Sequence, residues 1–290
     1  MNIIEKQNSI IIKKSDDFDI DHIFECGQCF RWDKYEDNSY IGVVGNKVLI
    51  VKQTLDEIEF ININKYEFEN IFIYYFDLKR DYSKIKEIFE KDNVLKKAID
   101  FGWGIRLLQQ DLWECLMSFI ISANNRIPMI KRTVQNISQA YGNEIFFKNK
   151  KYYSFPKPEQ LMNCGIDDYI KCGAGFRAKY LKNAVDMVLS GEIEFERLKD
   201  MTTVDAKEEL QKIPGIGPKV SDCILLFALN RYEVFPTDIW IKRVMEYFYS
   251  PDGKYRLSEI QEVAKELFGE FAGFAQQYLF YYARELKIGK

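Results

Sequence analysis

The period of the apolar residues changes near residue 105, so the chain cannot be one uniform layer of strands or of helices. Before that point the pattern is that of strands. Ser9-Ile10-Ile11-Ile12 opens one, and 28–33 reads as a second. Residues 40–44 and 47–51 flank Gly45-Asn46, a two-residue hairpin signal. Residues 58–63 alternate apolar and polar, as a half-buried strand does. One or two helices cover this sheet, the second starting near Ser83. Beyond 105 the spacing predicts helices at 112–122, 127–141, 176–189, 206–213, 218–229, 238–248, 257–268 and 271–286. Gly142 and Gly191 act as stops. The expectation is an α+β chain: a β-rich antiparallel lobe at 1–105 packed on an all-α lobe at 106–290. No internal repeat or low-complexity linker interrupts it.

Composition supports a large core and excludes several chemistries. Hydrophobic residues make up 47% and aromatics 15%. Net charge is only -3, so the whole molecule offers no positive field to nucleic acid. A nucleic-acid contact would need a local patch, backbone N–H groups and helix N-termini. The six cysteines, Cys26, Cys29, Cys115, Cys164, Cys172 and Cys223, are scattered, and no apolar leader or run of about 20 apolar residues occurs. Reduced thiols, a cytoplasmic location (nucleoid-associated if bacterial) and no membrane contact are the expectations. His22 is the single histidine, and its neighbours Asp21 and Ile23 complete neither a triad nor a metal motif. It reads as an ordinary surface or half-buried side chain. Cys26-Gly27-Gln28-Cys29 lacks the second close pair that a zinc site shows.

The segment Ile213-Pro214-Gly215-Ile216-Gly217-Pro218-Lys219 joins two helices in a few residues. Glycines there allow a tight turn and leave N–H groups uncovered at the positive end of the next helix. Pro218 suits the first helical position, where its missing N–H costs nothing. Gly215, Gly217 and the main chain at Val220 are therefore candidates to hold a phosphate oxygen. A plain αα-turn without a ligand is the alternative. The segment resembles the hairpin of the helix-hairpin-helix superfamily, which grips DNA without reading its sequence.

Lys219 falls in the first turn of the second helix. Making a free lysine neutral at pH 7 costs about 4–5 kcal/mol. The helix dipole offsets about 1 kcal/mol, so burial and neighbours must supply the rest. A neutral amine there can attack a sugar C1′ and form a Schiff base. Asp238, in Phe235-Pro236-Thr237-Asp238, reads equally as a helix N-cap and as a carboxylate that stabilises an oxocarbenium-like sugar. The lysine and the Pro-x-Asp, spaced across one helix, resemble the HhH-GPD DNA glycosylases. That resemblance implies that Lys219 is the nucleophile and that Asp238 assists departure of the base.

Further stretches, in order, resemble the 8-oxoguanine DNA glycosylases over nearly the whole chain. They are Cys26-Gly27-Gln28-Cys29-Phe30-Arg31-Trp32, Gln110-Asp111, Ser122-Ala123-Asn124-Asn125, Gly175-Phe176-Arg177-Ala178, Lys219-Val220-Ser221-Asp222-Cys223 and Ala272-Gly273-Phe274-Ala275-Gln276 with Phe280. The resemblance implies a TBP-like sheet lobe and an enzyme that flips and excises 8-oxoguanine from duplex DNA, then nicks the strand. It implies that the Gly27 carbonyl accepts the lesion's N7–H, where guanine has a lone pair. Cys223 would wall the pocket, Gln276 pair with the base edge and Phe280 stack on it; taken singly, Cys223 and Phe280 are ordinary core residues. Asn124 would fill the hole in the duplex, Phe176 wedge beside it and Arg177 read the orphaned cytosine. Met129 stands where relatives carry a second cytosine-reading arginine, which implies a relaxed opposite-base preference. Trp240 stands where they carry histidine.

No cofactor is required by this reading, and the four-cysteine iron–sulfur loop of some glycosylases is absent because Cys223 is the last cysteine. The resemblance implies a structural cation on the main-chain carbonyls of Gln211, Ile213 and Ile216. A monomer acting on duplex DNA is expected. Two other readings stand beside it: a sibling glycosylase for another damaged base, and a helix-hairpin-helix module that only binds.

Overall fold

The computed structural model describes residues 3–250 and 254–288. Its first part is a six-stranded antiparallel sheet in the order β1-β2-β6-β5-β4-β3. The strands are β1 (Ile3–Lys6), β2 (Ser9–Lys13), β3 (Trp32–Lys34), β4 (Ser39–Val44), β5 (Lys47–Gln53) and β6 (Glu57–Ile61). Gly45 at φ +56° and Asn46 make the β4–β5 turn where the sequence placed it, with Val44 opposite Lys47. The strand expected over 28–33 is a correction: only Trp32–Lys34 pairs. Gly27 sits at φ +86°, outside the strand region. The fully buried Gln28 is fixed by its side chain instead of a ladder. Its Nε2 donates to the carbonyls of Ile23 (2.9 Å) and Arg106 (2.8 Å), and its Oε1 accepts from the Leu108 N–H at 2.8 Å.

One face of the sheet packs an aromatic core that includes Phe24, Trp32, Tyr40, Phe60, Phe72 and Phe76. Trp32 stacks on Phe24 at 4.2 Å and donates its indole N–H to the Tyr75 hydroxyl at 2.9 Å. The other face, Ile41, Val43, Val48 and Ile50, is covered by a second hairpin, β7 (Glu144–Phe147) and β8 (Lys150–Tyr153). Ile145, Phe147 and Tyr152 pack onto it. This hairpin belongs in sequence to the helical part, yet it clasps the outside of the sheet.

Helices Leu112–Ser122, Ile127–Tyr141 and Leu257–Phe268 form over the spans that the periodicity marked. The first is buried at every position from Leu112 to Ile121 except Glu114 and is the axis of the helical core. The expected division at residue 105 does not follow the core. Helices Tyr82–Phe89 and Asn93–Phe101 put Tyr82, Ile85, Phe89, Leu95 and Ile99 into the helical cluster, not against the sheet. Asn93–Phe101 packs on the last helix, Ala272–Leu286, and Tyr82 meets Phe274 of that helix edge-on at 5.5 Å. Among the described residues no helix is long and apolar enough to cross a membrane.

The clasp yields a contrast between neighbouring phenylalanines. Phe147→Ala is expected to lower the unfolding free energy by about 1–2 kcal/mol, below the fully buried range because Phe147 is half-buried. Phe146→Ala, at a side chain 67% exposed, should change it by under about 0.5 kcal/mol. Urea unfolding of both variants measures the difference, and equal losses would contradict the packing described.

Candidate active site

The hairpin is built by helices Thr203–Gln211 and Pro218–Ala228. Gly215 has φ +94°, and a Cβ there would lie 2.5 Å from Cγ of Tyr180, so both conformation and space demand glycine. Gly217 serves differently. It is the N-cap at φ -95°, and a Cβ there would meet nothing within 4 Å, which leaves the outside of the turn open. No side chain caps this helix. With Pro218 lacking an N–H, the amides of Lys219 and Val220 are left as unfilled donors at its positive end. The Val220 side chain itself is buried, so only its main chain is available. Gln211 ends the first helix, Ile213 and Ile216 are buried, and the Ile213 carbonyl accepts the Ile216 N–H at 3.0 Å.

Across the two helices the Lys207 ammonium meets the Asp222 carboxylate at 2.6 Å, with Asp222 almost fully buried. Burial pushes the Asp222 carboxyl up, and Lys207 pulls it down. This ion pair ties the helix that carries Lys219 to its partner.

Lys219 and Cys223, one turn apart, open into a cleft together with Asp238, Gln276, Phe280 and Gly27. Six of the residues singled out in sequence thus come together from four separate parts of the chain. The Lys219 Nζ lies 5.3 Å from the centre of the Phe119 ring, which stacks on Phe227 at 5.6 Å. Asp238 is the N-cap of Ile239–Tyr249: Oδ1 accepts the N–H groups of Trp240 and Ile241, both at 2.9 Å. The cap and the cleft-facing roles therefore coexist in one carboxylate. Burial pushes the Cys223 thiol up to about 11, against the pull of Lys219, so the thiol that lines the cleft stays neutral. Gln276 is 5% exposed, and its Oε1 is buried without a hydrogen-bond partner. An orphaned amide oxygen in a cleft is a place for a ligand's donor.

Gly27 is pressed against Phe280. A Cβ on it would lie 3.1 Å from Cε1 of Phe280 and 2.9 Å from Nη1 of Arg284. The positive φ favours glycine, and the contact leaves little room for a Cβ. The cleft is small, about 40 Å³, enough for a few waters and less than a purine occupies. A larger groove of about 560 Å³ lies beside Asn46 and Tyr74 and contains neither Lys219 nor Asp238.

The residues expected on the DNA side lie on neighbouring turns. Asn124 is exposed at φ +50°, and Phe176 is 57% exposed, edge-on to Tyr180. Arg177 is buried and already engaged. Its Nε donates to the Ala123 carbonyl and its Nη2 to that of Asn124, each at 2.7 Å. It braces the turn that presents Asn124. Met129 is 45% exposed in the first turn of Ile127–Tyr141, and the Arg243 guanidinium lies 5.6 Å from the Trp240 ring. His22 is half-buried and accepts the Gly104 N–H at 3.1 Å. Cys26 and Cys29 are both buried, with thiols pushed up by burial. Among the described residues no three His, Cys, Asp or Glu side chains gather as a metal site. Sequence reasoning passed over Lys207, Gln277 and Arg284 and gave Asp222 no role of its own; for Arg284 the i+8 spacing from Gln276 through Phe280 was the available signal.

Residues 9–116 match the family model described as 8-oxoguanine DNA glycosylase, N-terminal domain, and residues 117–270 match HhH-GPD superfamily base excision DNA repair protein. The chain belongs to the HhH-GPD superfamily of base excision DNA repair proteins. A probable N-glycosylase/DNA lyase of Methanothermobacter thermautotrophicus is 32% identical over 231 residues, 73% of each chain. The Arabidopsis thaliana N-glycosylase/DNA lyase OGG1 is 28% identical, covering 89% of this chain and 75% of its own. The crystal structure of Clostridium acetobutylicum 8-oxoguanine glycosylase/lyase, in complex with DNA containing cytosine opposite 8-oxoG, superposes with a TM-score of 0.97 at 46% identity over 99% of both chains.

The Lys207–Asp222 strut gives a pH-dependent expectation. Lys207→Met removes the group that lowers the Asp222 carboxyl, leaving a buried acid above its ordinary range. Such a group favours the fold at low pH, and that stability fades as pH rises through the raised value. The variant should lose about 3 kcal/mol relative to the unmodified chain at pH 7.5, and clearly less at pH 5. Urea unfolding at both pH values checks it; equal losses would refute it.

Proposed function

We propose that the cleft excises 8-oxoguanine from duplex DNA and then cleaves the strand, with Lys219 as nucleophile and Asp238 as its electrostatic partner. The carrying observation is that an amine, a fixed carboxylate, an orphaned amide oxygen and an aromatic ring share one cleft. The Lys219 amine attacks C1′ of the flipped nucleotide as the bond from C1′ to the base breaks. Asp238, held by two main-chain donors, faces the positive charge that develops on the sugar. The base leaves with the bonding pair and takes up a proton. Loss of a proton from the nitrogen and ring opening give a Schiff base between Lys219 and C1′. Removal of a C2′ proton then expels the 3′ phosphate by β-elimination. The Cys223 wall, the Gln276 amide and the Phe280 ring would hold the base, and the Gly27 carbonyl would accept its N7–H.

A binding-only module would leave unexplained why Asp238 and Gln276 share the cleft with Lys219. The uncapped turn at Gly217 supports phosphate binding by the amides of Lys219 and Val220. A cation on the carbonyls of Gln211, Ile213 and Ile216 would brace that turn. A monomer acting on chromosomal DNA in the cytoplasm completes the reading.

Borohydride added to the protein on duplex containing 8-oxoguanine should trap a covalent protein–DNA band, and Lys219→Gln should abolish it. No band with the unmodified protein would overturn the lyase reading.

Arg177 already has protein acceptors, so it gains little by turning to cytosine, and Met129 offers no donor. Excision opposite adenine should therefore be readily measured beside excision opposite cytosine. Met129→Arg should raise the cytosine-to-adenine ratio about tenfold, the worth of one well-made base contact. Single-turnover rates on the two duplexes give the ratio; negligible excision opposite adenine by the unmodified chain would contradict the reading.

A further inference from the structure

The carbonyl oxygens around Gly27 are not treated alike. The Glu25 carbonyl, at the end of helix Ile20–Glu25, accepts Nη2 of Arg284. The Cys26 carbonyl accepts Nε2 of Gln277 at 2.8 Å, and the Gln28 carbonyl accepts Nε2 of Gln110 at 2.7 Å. Among the described residues no donor reaches the carbonyl of Gly27. Every flanking acceptor is thus occupied by a side chain from elsewhere in the chain, and the one left free belongs to the residue that lines the cleft.

Arg284 adds more than one bond. Its guanidinium carbon lies 5.4 Å from the centre of the Phe280 ring, two turns along from Gln276. Its Nη1 is buried without an acceptor and sits where a side chain on residue 27 would lie. A buried unpaired donor is costly, so the arrangement is held by its neighbours at some expense. The cation also suits the carbonyl end of the short helix.

We propose that Arg284 and Gln277 are positioning residues for lesion recognition, aiming the free Gly27 carbonyl into the cleft by occupying the carbonyls before it. The Gln277 amide donates to the Cys26 carbonyl and the Arg284 guanidinium to the Glu25 carbonyl and the Glu285 carboxylate, not to Asp238. This assignment rests on the reading of the cleft as an 8-oxoguanine site. A carbonyl distinguishes an N7–H from an N7 lone pair only while it points at that atom. A turn at φ +86° released from its clamps has other orientations open to it.

The test compares two reactions of the full-length protein: single-turnover excision of 8-oxoguanine, and nicking of a preformed abasic site, which needs Lys219 but no base recognition. Arg284→Met keeps an apolar stem beside Phe280 and deletes the donors; Gln277→Leu deletes the other clamp. Each should slow excision ~10-fold or more while abasic-site nicking stays within ~2-fold, and Arg284→Lys should recover part of the excision rate. The assignment is overturned if excision stays within ~2-fold of the unmodified rate in both variants, or if nicking falls in step with excision. Absence of 8-oxoguanine excision by the unmodified protein would instead remove the functional reading on which the assignment stands.

Discussion

The buried amide of Gln28 is the contact on which the arrangement of the two lobes depends. It joins the first helix, at Ile23, to the segment at Arg106 and Leu108 that leads into the helical core. An amide with these bonds satisfied and no exposure is costly to displace, because each broken bond leaves a buried group unpaired. Its effect on function is positional. It fixes residue 28, and with it the turn at Gly27, against the core that holds Lys219. The site is assembled from two lobes, and a discriminating contact needs them held to a fraction of an ångström.

The electrostatics of the site are local. A net charge of -3 gives the molecule no general attraction for DNA, so binding must rest on oriented main-chain dipoles and a few side chains. The contrast between two helix starts expresses this. Ile239–Tyr249 begins at Asp238, whose carboxylate fills its amides. Pro218–Ala228 begins at Gly217 with no side-chain cap and open space outside. One positive end is filled by a carboxylate that lines the cleft with Lys219, and the other is left open.

Much of this was legible in the sequence where the signal is periodic or chemical. Leu112–Ser122 and Leu257–Phe268 follow from apolar spacing, and the turn at Gly45 from its dipeptide. Lys219, Asp238, Gly27, Cys223, Gln276 and Phe280 were marked by motif, and they meet in one cleft. What escaped depends on tertiary partners. Gln28 reads as a strand residue, since nothing local shows that its amide will cross to residues 106 and 108. The β7–β8 turn is formed by Lys148 and Asn149 at positive φ, without the glycine that announces such a turn. Arg284 and Gln277 look like polar positions on an amphipathic helix until the carbonyls they occupy are located. The expected boundary at 105 followed the strand content, whereas the core follows the packing of Tyr82–Phe89 and Asn93–Phe101.

The hairpin that clasps the outer sheet face has a consequence for how this chain can be divided. Ile41, Val43, Val48 and Ile50 are shielded by residues that lie past 144, while the Gly27 turn is pinned by residues past 276. Cutting the polypeptide between its two matched regions would strip oily surface bare on the first fragment and part the Gly27 turn from the helix that pins it. Neither fragment would be a miniature of the parent. Swapping only one half with a relative transplants a face without its cover, so any working chimera has to exchange the clasp and the sheet together.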